Sequence, residues 1–248
     1  LTANGRRKTL SAPVDGASQI TFTCEQVYTG QTLLLSYSPG TVASTDGGLP
    51  NDWVYALAAG KNGEVWMATE GGLARYKDGV WDNWKHEDGL GAPYDLVRGQ
   101  IEFERDPAKE SSHHARQKVE MGLEAIEVAY NPNYIVALEV DDDGVVWCGT
   151  WGGGLSSFDG ENWTVYTVDD GLPGNHVFML HEDDQGKLWI GTNKGLSRFD
   201  GQHWQTYGRH EGLANLNVYA IESTADGDIW IGTREAVVRL GLEKSEEN

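Results

Sequence analysis

Metal ligation and acid–base work need histidines and carboxylates at fixed spacings, and this 248-residue chain offers few such arrangements. Glu110 lies four residues before His114, with His113 beside it. That spacing puts a carboxylate and an imidazole on one helix face and would make half a zinc site. No further ligand is implied nearby, so a solvated polar face is the competing reading. His176 and His181 flank an apolar run and have no recurring counterparts elsewhere. The stretches Asp141-Asp142-Asp143-Gly144 and Glu182-Asp183-Asp184-Gln185-Gly186 invite calcium. They lack the long loop closed by a bidentate glutamate, and hairpin chemistry accounts for them without an ion. There is no Gly-X-Ser-X-Gly elbow, phosphate loop or zinc-hydrolase motif. The expectation is a non-enzymatic protein with no cofactor, no metal and no catalytic residue.

The elements that would position any site announce themselves by repetition. The signature Trp-X-Gly/Ala-Thr occurs at Trp66–Thr69, Trp147–Thr150, Trp189–Thr192 and Trp230–Thr233, the last three starting 42 and 41 residues apart (147 to 189, 189 to 230). Around each copy stand short β-rich runs separated by glycine-bearing turns, with no helical period between them. Four strands per repeat of this length is the arithmetic of a propeller blade. Each tryptophan stands on a second strand and fills the space between adjacent sheets. Gly149, Gly191 and Gly232, two residues on and therefore on the same face, leave room for a neighbour. Asp78-Gly79, Asp159-Gly160 and Asp200-Gly201 read as hairpin turns in which both central residues take positive φ.

Asp170-Gly171-Leu172-Pro173, Val177-Phe178-Met179-Leu180, the Asp183–Gly186 turn, Trp189-Ile190-Gly191-Thr192 and Gly195-Leu196-Ser197-Arg198-Phe199-Asp200-Gly201 together resemble the two-component regulator propeller repeat. The resemblance covers residues 46–94 and 133–240. It implies a β-propeller of the kind found in extracytoplasmic sensor portions of bacterial hybrid histidine kinases and in stand-alone propeller proteins. A periplasmic or extracellular place follows from the resemblance, as does ligand sensing passed to a kinase. No kinase, receiver or DNA-binding segment is visible, so the expectation is an accessory subunit of a larger membrane-associated complex.

Composition narrows the partners. Lys and Arg number 19 against 38 Asp and Glu, a formal net charge of −19. Such a field repels phosphate backbones and disfavours nucleic acid and anionic lipid, leaving a protein partner or a small ligand. No apolar run is long enough to span a membrane. No signal peptide is visible, and a chain opening on Leu1 is expected to be processed or cropped. The two cysteines make no disulfide framework. Cys148 takes the place held by Ile190 and Ile231 and reads as a small buried hydrophobe, with a bridge to Cys24 as the alternative.

The expected layout is an N-terminal tail over 1–17 and a degenerate blade or closing strands over 18–46. The first clear blade and the start of a second occupy 47–97, the second unit starting with Asp88-Gly89-Leu90 and Tyr94-Asp95-Leu96-Val97 and resuming at Tyr134-Ile135-Val136-Ala137-Leu138. A helical insertion covers 98–132, opened by Asp106-Pro107 and stopped by Asn131-Pro132, with a degenerate blade as the alternative. The remaining blades fill 133–240, and 241–248 is an acidic tail. The fold class is all-β: a propeller of four-stranded blades, four clear repeats and a fifth degenerate N-terminal one, with one helical insertion.

In such a fold the connection entering each innermost strand and the turn after each second strand open on one face. That face collects Asn51, Asp52, Trp53 and Glu70, then Trp151, then Asn175, His176, Asn193 and Lys194, then Asn215, Arg234 and Glu235. These positions vary while the scaffold recurs. Trp53 and Trp151 lead the candidates, being large aromatics outside the repeated packing position. The rival is a metal-dependent propeller enzyme, a lyase or hydrolase, which would need histidines and carboxylates on the innermost strands. Those strands read as almost wholly apolar.

Overall fold

Threonine hydroxyls, repeated four times, and the aspartate turns beside them set the architecture seen in a computed structural model of the chain. It describes residues 48–101, 119 and 130–241, together with the backbone of four short strands within the first 37 residues. The expected insertion, apart from its two ends and Val119, lies outside the described residues, as do Glu110, His113 and His114. The chain divides into two units, 1–43 and 44–248. In the first, β1 (Thr2–Ala3) pairs with β2 (Arg6–Arg7), and β3 (Ile20–Glu25) pairs antiparallel with β4 (Thr32–Tyr37).

The second unit is a succession of antiparallel blades. Blade 1 is β5 (Val54–Ala59), β6 (Val65–Thr69), β7 (Gly72–Lys77) and β8 (Val80–Trp84). Blade 2 is β9 (Asn131–Val140), β10 (Val146–Trp151), β11 (Leu155–Phe158) and β12 (Trp163–Tyr166). Blade 3 is β13 (Val177–Glu182), β14 (Leu188–Thr192), β15 (Gly195–Phe199) and β16 (Trp204–Tyr207). Among the described residues blade 4 has three strands, β17 (Val218–Ser223), β18 (Ile229–Thr233) and β19 (Val237–Leu240). The innermost strands β5, β9, β13 and β17 run side by side in that order.

Each signature residue has a distinct task. The threonine Oγ1 donates across the next turn to a backbone carbonyl: Thr69 to Gly72 at 2.8 Å, Thr150 to Gly154 at 2.8 Å, Thr192 to Gly195 at 2.9 Å and Thr233 to Ala236 at 2.9 Å. Trp66, Trp147 and Trp189 are buried between sheets, within three apolar clusters that join blade 1 to 2, 2 to 3 and 3 to 4. Cys148 is a free thiol inside the first of these, its pKa driven up by burial.

Three details depart from the sequence reading. Only Asp78-Gly79 has both residues at positive φ (49° and 85°); at Asp159-Gly160 and Asp200-Gly201 the glycine alone does (102° and 92°). The loops are equally long, but their Asp-Gly pairs sit one residue earlier, so that glycine takes the first central place, as in type II′ turns. The aspartate then closes the turn, Asp159 Oδ1 accepting from the Glu161 and Asn162 amides at 2.8 and 2.7 Å.

Second, Tyr94–Val97 forms a short helix, α1, and no strand. Val97 and Ile101, one turn apart, pack with Ala92 and Tyr130 in a separate apolar cluster, so the chain leaves the blade there. Tyr130 donates to the Ala92 carbonyl at 2.7 Å, tying together the two ends of the excursion. Third, β9 already begins at Asn131, where a helix stop was expected.

Candidate functional site

The loop face is built from pairs of backbone contacts repeated blade by blade. The residue after the signature threonine donates its amide to the residue before the innermost strand: Glu70 to Trp53 at 3.2 Å, Asn193 to His176 at 3.1 Å and Arg234 to Asn217 at 3.2 Å. In blade 2, Trp151 forms a β-bridge to His176 of the next blade. Asn51 and Asn215 shape their loops, their side-chain oxygens accepting the Trp53 and Asn217 amides at 2.8 and 2.9 Å.

Just inside this face each innermost strand carries a β-bulge, between Val54 and Ala56, Ile135 and Ala137, Val177 and Met179, and Val218 and Ala220. A bulge re-aims the extra residue's side chain. Here the extra residues are Tyr55, Val136, Phe178 and Tyr219. The three aromatic ones form, with Tyr134 and Trp151 of blade 2, one row of rings crossing all four blades. Centroids lie 4.6 Å apart for Tyr55–Tyr134, 5.5 Å for Tyr134–Trp151, 5.8 Å for Trp151–Phe178 and 5.1 Å for Phe178–Tyr219. Tyr55 donates its hydroxyl to Glu70 Oε1 at 2.6 Å. Burial, then Glu70, holds the Tyr55 phenol well above its ordinary range, and burial pushes Tyr134 up to about 12. Both remain hydrogen-bond donors at neutral pH.

The twelve sequence candidates fall into three groups by exposure. Asp52, Trp53, Arg234 and Glu235 are exposed, and Asn51, Trp151, Asn193, Lys194 and Asn215 are half-buried. Glu70, Asn175 and His176 are buried. Asn175 is a bracket: its Nδ2 donates to Gln100 Oε1 at 2.9 Å and its Oδ1 accepts the Val168 amide at 3.1 Å. It thereby ties blade 3 to the foot of the insertion. His176 lies edge-on against Trp151, centroids 5.2 Å apart. The sequence reading missed Tyr55, Tyr134, Phe178 and Tyr219. The available signal was two consecutive large apolar residues, Val-Tyr or Val-Phe, at the start of three innermost strands, a break in the alternation that marks a bulge.

The acidic turns lie elsewhere and are already occupied. Asp183 Oδ1 accepts the Gln185 and Lys187 amides at 2.9 and 3.0 Å, and its Oδ2 accepts the Trp189 indole N–H at 2.7 Å. Asp141 repeats this around Trp147. Among the described residues no group of three or more His, Cys, Asp and Glu stands together as a metal site, and no helix is long and apolar enough to cross a membrane.

The two-component regulator propeller family model matches four segments, 48–71, 129–152, 171–194 and 212–235. No curated protein matches the sequence. Among solved structures, the extracellular domain of the hybrid two component system BT3049 from B. thetaiotaomicron is similar at 18% identity and TM-score 0.56, over 84% of this chain. The extracellular domain of the one component system BT4673 from the same organism is similar at 17% identity and TM-score 0.54, over 87% of this chain. This chain spans 24% and 26% of those two chains, about a quarter of each. The matched segments each centre on a turn, a bulged innermost strand and the Trp-X-Gly/Ala-Thr strand, and the chain thus carries four repeats of the two-component regulator propeller family.

Proposed function

We propose that the second unit is a non-enzymatic recognition module that binds a protein partner on its loop face, on the extracytoplasmic side of the cell. The observation that carries this reading is the unbroken row of rings from Tyr55 to Tyr219, set on rigid innermost strands. Aromatic groups on a fixed frame lose little side-chain entropy on binding and dominate interface energetics. Tyr219, 50% exposed, ends the row in solvent, and Trp53, 48% exposed, stands two residues before Tyr55 at its other end. An overall charge of −19 favours a partner whose docking segment carries basic side chains between apolar ones. The extracellular placement of the structurally similar domains supports the location. The insertion, rooted beside this face through Gln100 and Ile101, supplies a second, lateral contact.

The test is capture of partners from the native cell envelope on the intact chain, followed by calorimetry with the purified partner. Trp53→Ala and Tyr219→Ala together are expected to weaken binding at least tenfold, about 1.4 kcal/mol or more. Removing residues 102–129, which leaves Ile101 and Tyr130 in place, is expected to weaken it less. Unchanged affinity in the double variant sinks the loop-face reading. Binding lost only with the deletion moves the site to the insertion.

A further inference from the structure

In each blade a tight turn joins the innermost strand to the strand that carries the signature tryptophan. Each of these turns holds a glycine at positive φ: Gly63 at 83°, Gly144 at 86°, Gly186 at 68° and Gly227 at 88°. The residue before that glycine is Asn62 in blade 1, Asp143 in blade 2, Gln185 in blade 3 and Asp226 in blade 4. An asparagine carboxamide is open to attack by the backbone nitrogen that follows it. Glycine exposes that nitrogen most, having no Cβ to shield it and a backbone free to turn. Among the described residues Asn62 is the one asparagine followed by glycine.

The blade 1 turn is also held more loosely than its counterparts. In the other three blades the glycine amide donates to the carbonyl three residues back: Gly144 to Asp141 at 2.9 Å, Gly186 to Asp183 at 2.8 Å and Gly227 to Thr224 at 2.8 Å. No bond of that geometry holds the Gly63 amide. Asp141 and Asp183 also clasp their turns from within, accepting the amides of Asp143 and Gln185 at 3.0 and 2.9 Å. Blade 1 has Gly60 in that place, and Glu64 Oε2 accepts the Asn62 amide instead, at 3.1 Å. Asn62 and Gly63 are both exposed, and a Cβ on Gly63 would meet nothing within 4 Å.

We propose that Asn62 is a site of spontaneous covalent modification, deamidating through Gly63 in the folded protein. The Gly63 nitrogen attacks Asn62 Cγ, the new C–N bond closes a five-membered imide, and the Cγ–Nδ2 bond breaks. Ammonia leaves with the proton that the Gly63 amide gives up. Water then opens the imide at either carbonyl. Opening at Cγ yields aspartate, the residue that blades 2 and 4 carry at this place. Opening at the Asn62 backbone carbonyl yields isoaspartate and puts one extra methylene into the main chain. Either product adds a negative charge to the −19 of the chain. The attacking nitrogen must lose its proton, so the reaction speeds up as pH rises.

Mass mapping of peptic peptides, after incubation of the intact folded chain at mildly alkaline pH, tests this. The peptide holding Asn62 is expected to gain one mass unit in ordinary water and three in heavy-oxygen water, about tenfold faster than any other described asparagine. Asn4-Gly5 falls on a separate peptide and is scored apart. Gly60→Asp with Glu64→Val gives blade 1 the clasp of blade 2 and is expected to slow the conversion about fivefold, since a restrained turn must open before it reacts. The same graft in urea, where no turn is held, is expected to react as fast as the parent. Conversion of Asn62 in urea but not in the folded chain overturns the proposal. Equal rates for the folded parent and the folded graft, their circular dichroism spectra matching, overturn the part assigned to the loosened turn.

Discussion

Asp183 shows how one carboxylate can organise a blade, since it satisfies two turn amides and a buried indole at once. Blade 1 provides the internal control. Gly60 holds the equivalent place, Glu64 folds back to accept the Asn62 amide at 3.1 Å, and the buried Trp66 indole nitrogen has no acceptor. Hydrogen bonds to a charged acceptor are worth more than neutral ones, and a stranded buried donor adds its own cost. Asp183→Ala is therefore expected to lose about 3 kcal/mol in urea unfolding. The converse graft, Gly60→Asp with Glu64→Val, copies blade 2 onto blade 1 and should gain about 1 kcal/mol. A neutral graft would mean that the Trp66 indole already has a partner in solution. Near the Asp141 clasp, burial and then the Glu182 and Asp141 carboxylates raise the pKa of Glu139. A raised carboxylate pKa means that the folded state holds the proton more tightly, so this group's contribution falls as pH rises through the raised value. Glu139→Gln should thus have the higher Tm at pH 7, the difference closing towards the ordinary glutamate range near about 4.3. A difference independent of pH would refute the cause.

At the scale of the element, Gly191 joins what was legible to what was not. Its two-residue offset from Trp189 placed it on the packing face, and the structure supplies the neighbour: a Cβ there would meet Val218 Cγ1 at 2.7 Å and the Val218 carbonyl oxygen at 3.0 Å. Gly191→Ala forces two blades apart and is expected to cost about 1–3 kcal/mol. Val218→Ala should relieve part of that cost in the double variant, and a double-mutant cycle with no coupling would place the strain elsewhere. The strands were readable because turns and signature recur, and three of the four blades have the expected four strands. Two things were hidden. Whether an Asp-Gly pair carries two positive φ values or one depends on its register between Tyr76 and Trp81 or Phe158 and Trp163, which is set by pairing. The burial of Asn175 depends on Gln100, 75 residues away, a contact that repeat position cannot show.

For the whole molecule the governing fact is that blades contact their neighbours in series, as repeat proteins do, so stability is close to a sum of blade and interface terms. One structural position can then report on every interface. Leu57, Leu138, Leu180 and Ile221 are in register on the four innermost strands. The last three are buried, whereas Leu57 is 66% exposed. Leu180→Ala opens a cavity between blades 2 and 3 and is expected to cost about 2–5 kcal/mol at any protein concentration. Leu57→Ala should stay within about 0.5 kcal/mol of the parent, as surface changes do. Urea unfolding of the two variants beside the parent compares the same register position in an exposed and a buried blade face. A loss at Leu57→Ala as large as that at Leu180→Ala would mean that the face of blade 1 is covered in solution.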